Sequence, residues 1–173
     1  MGEAPERGEV MLTLRWVQGS MALEVGDETI LDCSCRVRNF ENGRRRAWEV
    51  VYTMPNGKPY QPQVFPVGHW KVGKPLPRSQ PDRAPFFIPT DAELEVSVWE
   101  VQNGGYVRET EQKDIDRSYG LHYSIFNTTL GCIKISALDD LRWLVTRITN
   151  ELSKGEEVWL DVVKEEKDAA QEE

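Results

Sequence analysis

Apolar and polar residues alternate with a period of two along most of this chain. Val10, Leu12, Leu14 and Trp16 alternate with Met11, Thr13 and Arg15, and after a turn at Gly19-Ser20 the pattern resumes in Met21, Leu23 and Val25. Alternation of this kind predicts half-buried strands, here a pair joined by a tight turn. From Thr29 to Asn39, Leu31, Cys33, Cys35 and Val37 share one face, opposite Asp32, Ser34, Arg36 and Arg38, so both early cysteines are expected to point inward. Neighbours two apart on a strand project side by side, badly angled for a mutual disulfide. They read as buried apolar fillers, with a two-thiol metal site as the weaker rival. Asn42-Gly43 is a hairpin signal leading to Ala47 to Thr53, and Pro55-Asn56-Gly57 turns the chain again. Four antiparallel strands in succession predict a meander or sandwich sheet.

A short strand is expected from Phe65 to Val72. It leads into Gly73 to Pro89, where five of the ten prolines collect. That segment reads as a stiffened loop unable to supply a ladder strand. Alternation returns through Leu94, Val96 and Val98, and Asn103-Gly104-Gly105 turns it into Tyr106 to Thr110. The period then becomes helical: Leu138, Leu141, Leu144, Val145, Ile148 and Leu152 form one stripe, with Ser136 placed as N-cap, Asp139 as its partner, and Gly155 as the stop. Val158, Leu160 and Val162 predict a last strand. The reading is a mainly β fold, an antiparallel sandwich or meander with one substantial C-terminal helix. Residues 1–9 are expected to form a loose arm, residues 10–163 one domain, and residues 164–173 an acidic tail.

Length and charge narrow the function. A chain of 173 residues buries a real core in one domain. A net charge of −8, with Arg44-Arg45-Arg46 the only basic cluster, excludes a phosphate-tracking surface, so no nucleic-acid partner is expected. No apolar run approaches the roughly 18 residues of a membrane span, and no apolar segment follows Met1, so a product made in the cytoplasm without a signal peptide is expected. Three cysteines make no disulfide framework and too few ligands stand together for a metal, so neither metal nor cofactor is assigned.

The chemistry concentrates between Tyr119 and Ile135. This stretch holds one of two histidines, His122, and one of three cysteines, Cys132, ten positions apart. An imidazole beside a thiol can take its proton and make it a nucleophile, and Gly131 before the cysteine permits a tight backbone approach. In this scheme Cys132 attacks a carbonyl, His122 moves the proton, and main-chain N–H groups near Gly131 and Cys132 hold the oxyanion. The imidazole needs an orienting group: a main-chain carbonyl near Tyr123, or alternatively Asp114 or Asp116.

Gly120-Leu121-His122, followed by Thr129-Leu130-Gly131-Cys132-Ile133-Lys134-Ile135, resembles the signature of the L,D-transpeptidase catalytic domain. The Phe65-Pro66-Val67-Gly68 strand, the Asn56-Gly57-Lys58-Pro59 turn, and the helix from Leu138 with Gly155-Glu156-Glu157-Val158 resemble that family's flanking segments, and together the likeness spans residues 47–163. The chain departs from the pattern at Leu130, where the family has a second histidine, at Tyr123 in place of glycine, at Lys134 in place of arginine, and in a shorter His122-to-Cys132 loop. These departures bring it nearer to short, phage-like or toxin-like relatives. The resemblance implies cysteine-dependent acyl transfer or hydrolysis on peptidoglycan stem peptides, at the cell wall after lysis or specialised secretion. It implies Cys132, His122 and Gly131 in catalysis, and Tyr123, Thr129, Lys134 and His69 toward substrate. The alternative is a catalytically silent wall-binding or virion structural module that keeps the fold.

Overall fold

The computed structural model describes residues 11–35, 51–78, 85–124 and 131–165. The expected Asn42-Gly43 hairpin, Trp48, the loop with Thr129 and Leu130, residues 1–9 and most of the acidic tail lie outside these. The described chain is mainly β with one helix, as the alternation predicts.

The first sheet is a meander for three strands only. β1 (Leu12–Val17), β2 (Ala22–Val25) and β3 (Glu28–Leu31) pair antiparallel in sequence, and Gly19, at φ +85°, makes the first turn. On its other side β1 takes the last strand of the chain in parallel, so chain ends far apart in sequence meet at the middle of the sheet.

A second five-stranded sheet holds His122, and one of its strands begins right after Cys132. The expected single strand from Thr29 to Asn39 breaks at Asp32, whose φ of 60° is left-handed, and the chain leaves the first sheet to form β4 (Cys33–Ser34) in the second. The break shifts the alternation by one, so Leu31 is 66% exposed while Ile30 and Cys33 are buried. β5 (Tyr52–Thr53) and β6 (Pro59–Tyr60) form a hairpin around Gly57, and β7 (Gly68–Val72) is the edge of the first sheet.

The proline-rich segment corrects the sequence reading, because it does supply strands. β8 (Leu76–Pro77) and β9 (Phe86–Pro89) pair antiparallel, and β9 lies inside the second sheet. Proline is tolerated there because Pro77 sits on the edge strand and Pro89 ends β9, where no ladder N–H is required.

β10 (Leu94–Gln102) and β11 (Gly105–Asp116) form a long hairpin with Asn103 and Gly104 both at positive φ, the turn foreseen from sequence but with arms longer than expected. β12 (Gly120–Tyr123) and β13 (Ile133–Ile135) follow, and they pair in parallel. The second sheet therefore runs β4-β13-β12-β9-β8. Each five-stranded sheet is thus mostly antiparallel with one parallel pair, which a simple meander does not allow.

The helix α1 (Leu138–Ser153) buries Leu141, Leu144, Val145 and Ile148, as the stripe predicts, and packs on β9, β12 and β13 as well as on β14 (Val158–Val163). Fully burying such a side chain contributes about 1.5–3 kcal/mol before entropy is set against it. Its start differs from expectation. Ala137 is the N-cap and Ser136 is not, because the Ser136 hydroxyl donates to the Asp32 carbonyl and ties the helix to the β3–β4 break. Gly155, at φ +82°, ends the helical segment. One apolar core joins both sheets and the helix through Trp16, Phe65, Leu121, Ile133, Ile135 and Ile148. No described helix is long and apolar enough to cross a membrane.

Candidate active site

The parallel pairing of β12 with β13 sets the geometry of the site. Leu121 lies opposite Ile133 and His122 opposite Lys134, while on the other side His122 faces Phe87 of β9. Paired residues share a face, so Leu121, Ile133 and Ile135 turn toward the helix, and Phe87, His122 and Lys134 turn away from it. Cys132 immediately precedes β13, and the strand's alternation, carried one residue back, would put it on the face of His122. A one-residue slip would have sent thiol and imidazole to opposite sides.

The imidazole is held by main chain. His122 Nδ1–H donates to the Tyr123 carbonyl at 3.0 Å, which fixes the tautomer and leaves Nε2 as the lone-pair nitrogen. Of the three orienting groups the sequence left open, this is the carbonyl. Asp114 is bonded to Asn56 at 2.8 Å and paired with Lys58 at 3.8 Å, and Asp116 is bonded to Ser118. Burial lowers the His122 pKa below its usual 6.5; the Tyr123 bond opposes that shift and the Arg78 charge adds to it. At pH 7 the ring is therefore neutral and able to accept a proton.

Cys132 is 8% exposed, and its thiol donates to the Ser118 carbonyl at 3.4 Å. Burial pushes its pKa up to about 11, a main-chain hydrogen bond from Gly120 and the Arg78 charge pull against this, and the Asp116 carboxylate adds to it. Only about one thiol in 10⁴ is ionised at pH 7 on that value, so its reactivity depends on a base. Arg78 carries no motif in the sequence. It stacks its guanidinium 4.8 Å from the centroid of Phe87, which itself stacks on His122 at 6.4 Å, and its charge reaches both His122 and Cys132.

The peptide before the thiol is clamped. Gly131 has φ +112°, and a Cβ there would stand 2.4 Å from the Gln63 carbonyl oxygen and 2.6 Å from the Tyr119 ring. Its own carbonyl accepts from the Cys35 thiol at 3.0 Å, and Cys35 Sγ in turn accepts from the Phe65 N–H at 3.3 Å. Cys35 is thus a positioning group for the Gly131–Cys132 peptide. Cys33 sits fully buried in the core, the filler the alternation foresaw. Among the described residues no three of His, Cys, Asp and Glu gather as a metal site.

The residues expected to face substrate divide. Lys134 is on the His122 face, 8% exposed. The Tyr123 side chain alternates to the opposite face and packs on the core, so this residue offers its carbonyl instead of its ring. His69 is not brought to the group. It lies on the outer face of the first sheet, paired with Asp161 and stacked on Trp159 at 4.3 Å. Thr129 lies outside the described residues.

Thiol reactivity gives a direct check of these environments. Burial holds Cys35 and Cys33 at about 12, above Cys132. Alkylation by iodoacetamide, followed by peptide mass spectrometry, is expected to modify Cys132 before Cys35 and Cys33. Its rate should rise about tenfold per pH unit from 8 to 10, since the thiolate is the nucleophile. Arg78→Ala should slow Cys132 at each pH; a rate unchanged or faster would remove Arg78 from the site. No protein-family model matches the chain, and no curated protein and no solved structure matches it.

Proposed function

We propose that the protein is a cysteine-dependent acyltransferase or hydrolase acting on peptidoglycan stem peptides, with Cys132 as nucleophile and His122 as base. The observation that carries this reading is the Nδ1–H bond of His122 to the Tyr123 carbonyl, on a strand paired in parallel with the strand that begins one residue after Cys132. That bond leaves Nε2 free of a proton, as a general base requires.

In the reaction, Nε2 takes the Cys132 proton as sulfur bonds to the carbonyl carbon of the diamino acid in the stem peptide. The tetrahedral adduct collapses with cleavage of the C–N bond, and the imidazolium returns the proton to the departing D-amino acid. Water or a second amine then attacks the thioester, His122 takes a proton from it, and the thiol is regenerated. Which acceptor wins depends on access to the thioester. The wall is the site of action in this reading.

A second reading, a wall-binding or virion structural module without turnover, draws on one observation: the thiol is nearly buried and holds its proton to about pH 11. Muropeptide digests separate the two. Incubation with purified tetrapeptide muropeptides should yield the free terminal D-amino acid together with a tripeptide or a cross-linked dimer, detected by mass spectrometry, and Cys132→Ala should yield neither. Co-sedimentation with sacculi without any product from the native protein would favour the binding module.

A further inference from the structure

A cleft of about 750 Å³ opens between the β5–β6 hairpin and the end of β11, lined among others by Met54, Tyr60, Ile115, Asp114, Asp116 and Ser118. Its notable feature is Asp116, the last residue of β11, which is 1% exposed. One carboxylate oxygen, Oδ1, accepts from the Ser118 N–H at 3.0 Å and from the Ser118 hydroxyl at 2.5 Å. The other, Oδ2, is buried and has no hydrogen-bond partner among the described residues. Two cations on this side are engaged elsewhere: Lys58 with Asp114 at 3.8 Å, Arg117 with Glu93 at 3.2 Å.

A buried carboxylate oxygen left without a donor is unusual enough to require a reason. A cationic donor that enters the cleft and displaces the side chains over Oδ2 satisfies it, and charge-assisted N–H···O bonds are the strong kind. The apolar walls, Met54 and Ile115 with the Tyr60 ring, suit the methylene stem of such a group.

We propose that this cleft is a subsite for a primary ammonium group on an aliphatic stem, with Asp116 as its counter-charge. The position relative to Cys132 follows from one residue. Ser118 bonds Asp116 with its side chain and accepts the Cys132 thiol with its carbonyl, so the cleft floor and the nucleophile share a backbone segment. Taken with the function proposed above, on which this part rests, two amines qualify: the side-chain amine of the diamino acid being acylated, and the amine that accepts the acyl group.

The test has an arm that needs no peptidoglycan. In native protein, n-butylamine should shift the amide resonances of Asp116 and Ser118 while n-butanol of equal shape should not, and Asp116→Asn, which keeps an acceptor for Ser118, should abolish the difference. For the source of the amine, Cys132→Ala blocks turnover, and in that background L-Ala–D-Glu–L-Lys–D-Ala is expected to bind about tenfold tighter than its norleucine analogue, the preference falling to about twofold or less when Asp116→Asn is added. Butylamine selectivity with no peptide preference assigns the cleft to the acceptor amine. Native protein that responds alike to butylamine and butanol overturns the proposal. If no peptide binds and no D-alanine is released, the peptidoglycan reading fails instead, and the butylamine result still decides the cleft.

Discussion

His122→Ala is expected to lower acyl transfer from a stem peptide by about 10²–10⁴, the range for loss of a positioned general base. The reason lies in the two titrations. Burial keeps Cys132 protonated to about pH 11, so at neutral pH almost no thiolate exists unless a base takes the proton during attack. Burial also moves the imidazole below its usual 6.5, which keeps it in the basic form at pH 7. The sign of the pH dependence follows. Because the His122 pKa is lowered, activity should persist on acidification until the pH passes below 6.5 and then fall as the ring protonates. In His122→Ala that acid limb should vanish, leaving a rate that climbs steadily toward pH 11 as the thiol ionises unaided. An acid limb retained unchanged in the variant would mean that another group is the base. The fold should survive the change, since the His122 side chain faces away from the helix and the main core.

Gly131→Ala has the largest effect expected on stability. Two penalties coincide: a φ of +112° that L-residues rarely adopt, and a Cβ driven to 2.4 Å from the Gln63 carbonyl oxygen, a backbone atom that cannot swing aside. Gly57 separates the two, because it has φ +88° with nothing within 4 Å of the added carbon. Gly57→Ala should cost about 1–2 kcal/mol of conformational strain alone. Gly131→Ala should cost on the order of 4 kcal/mol or more, adding a steric clash in a packed region. Urea unfolding of the two variants measures the difference. Equal midpoints would show that the Gly131 turn relaxes freely, and the clamp on the Cys132 peptide would be lost from the account.

How far the sequence reached depended on whether a feature was local. Alternation located β1, β2, β10 and β14, and the stripe from Leu138 to Leu152 located the helix, because each depends on neighbours within one element. Asp32 defeated the same method. A single left-handed residue ended β3 and shifted the register, and aspartate is not so strong a breaker that its type alone announces this. The prolines misled because their cost depends on strand position, which sequence does not show. The two parallel pairs, β1 with β14 and β12 with β13, are made by segments separated along the chain, and alternation carries no information on partner choice.

The site divides in the same way. His122, Cys132 and the carbonyl at Tyr123 lie in one short stretch, so residue type and spacing alone point to them as candidates. Arg78 and Ser118 come to the thiol, and Cys35 to the Gly131 carbonyl, through strand order and turns, and no spacing in the sequence marks those positions. His69 was chosen from its strand's resemblance. It sits on the outer face of the first sheet, where pairing with Asp161 and stacking on Trp159 occupy it. Ser136 was chosen as a helix cap by a sound local rule, but a longer-range acceptor, the Asp32 carbonyl, took its hydroxyl.

In the proposed function Cys132 and His122 act as one nucleophilic centre. A carbapenem gives the sharpest check, since its strained amide acylates a competent thiol and the adduct is stable enough to weigh. Intact-mass spectrometry after incubation at pH 7 should show a single adduct that peptide mapping places on Cys132, absent in Cys132→Ala and formed far more slowly in His122→Ala. An unmodified native protein, or an adduct on Cys35 in place of Cys132, would contradict it.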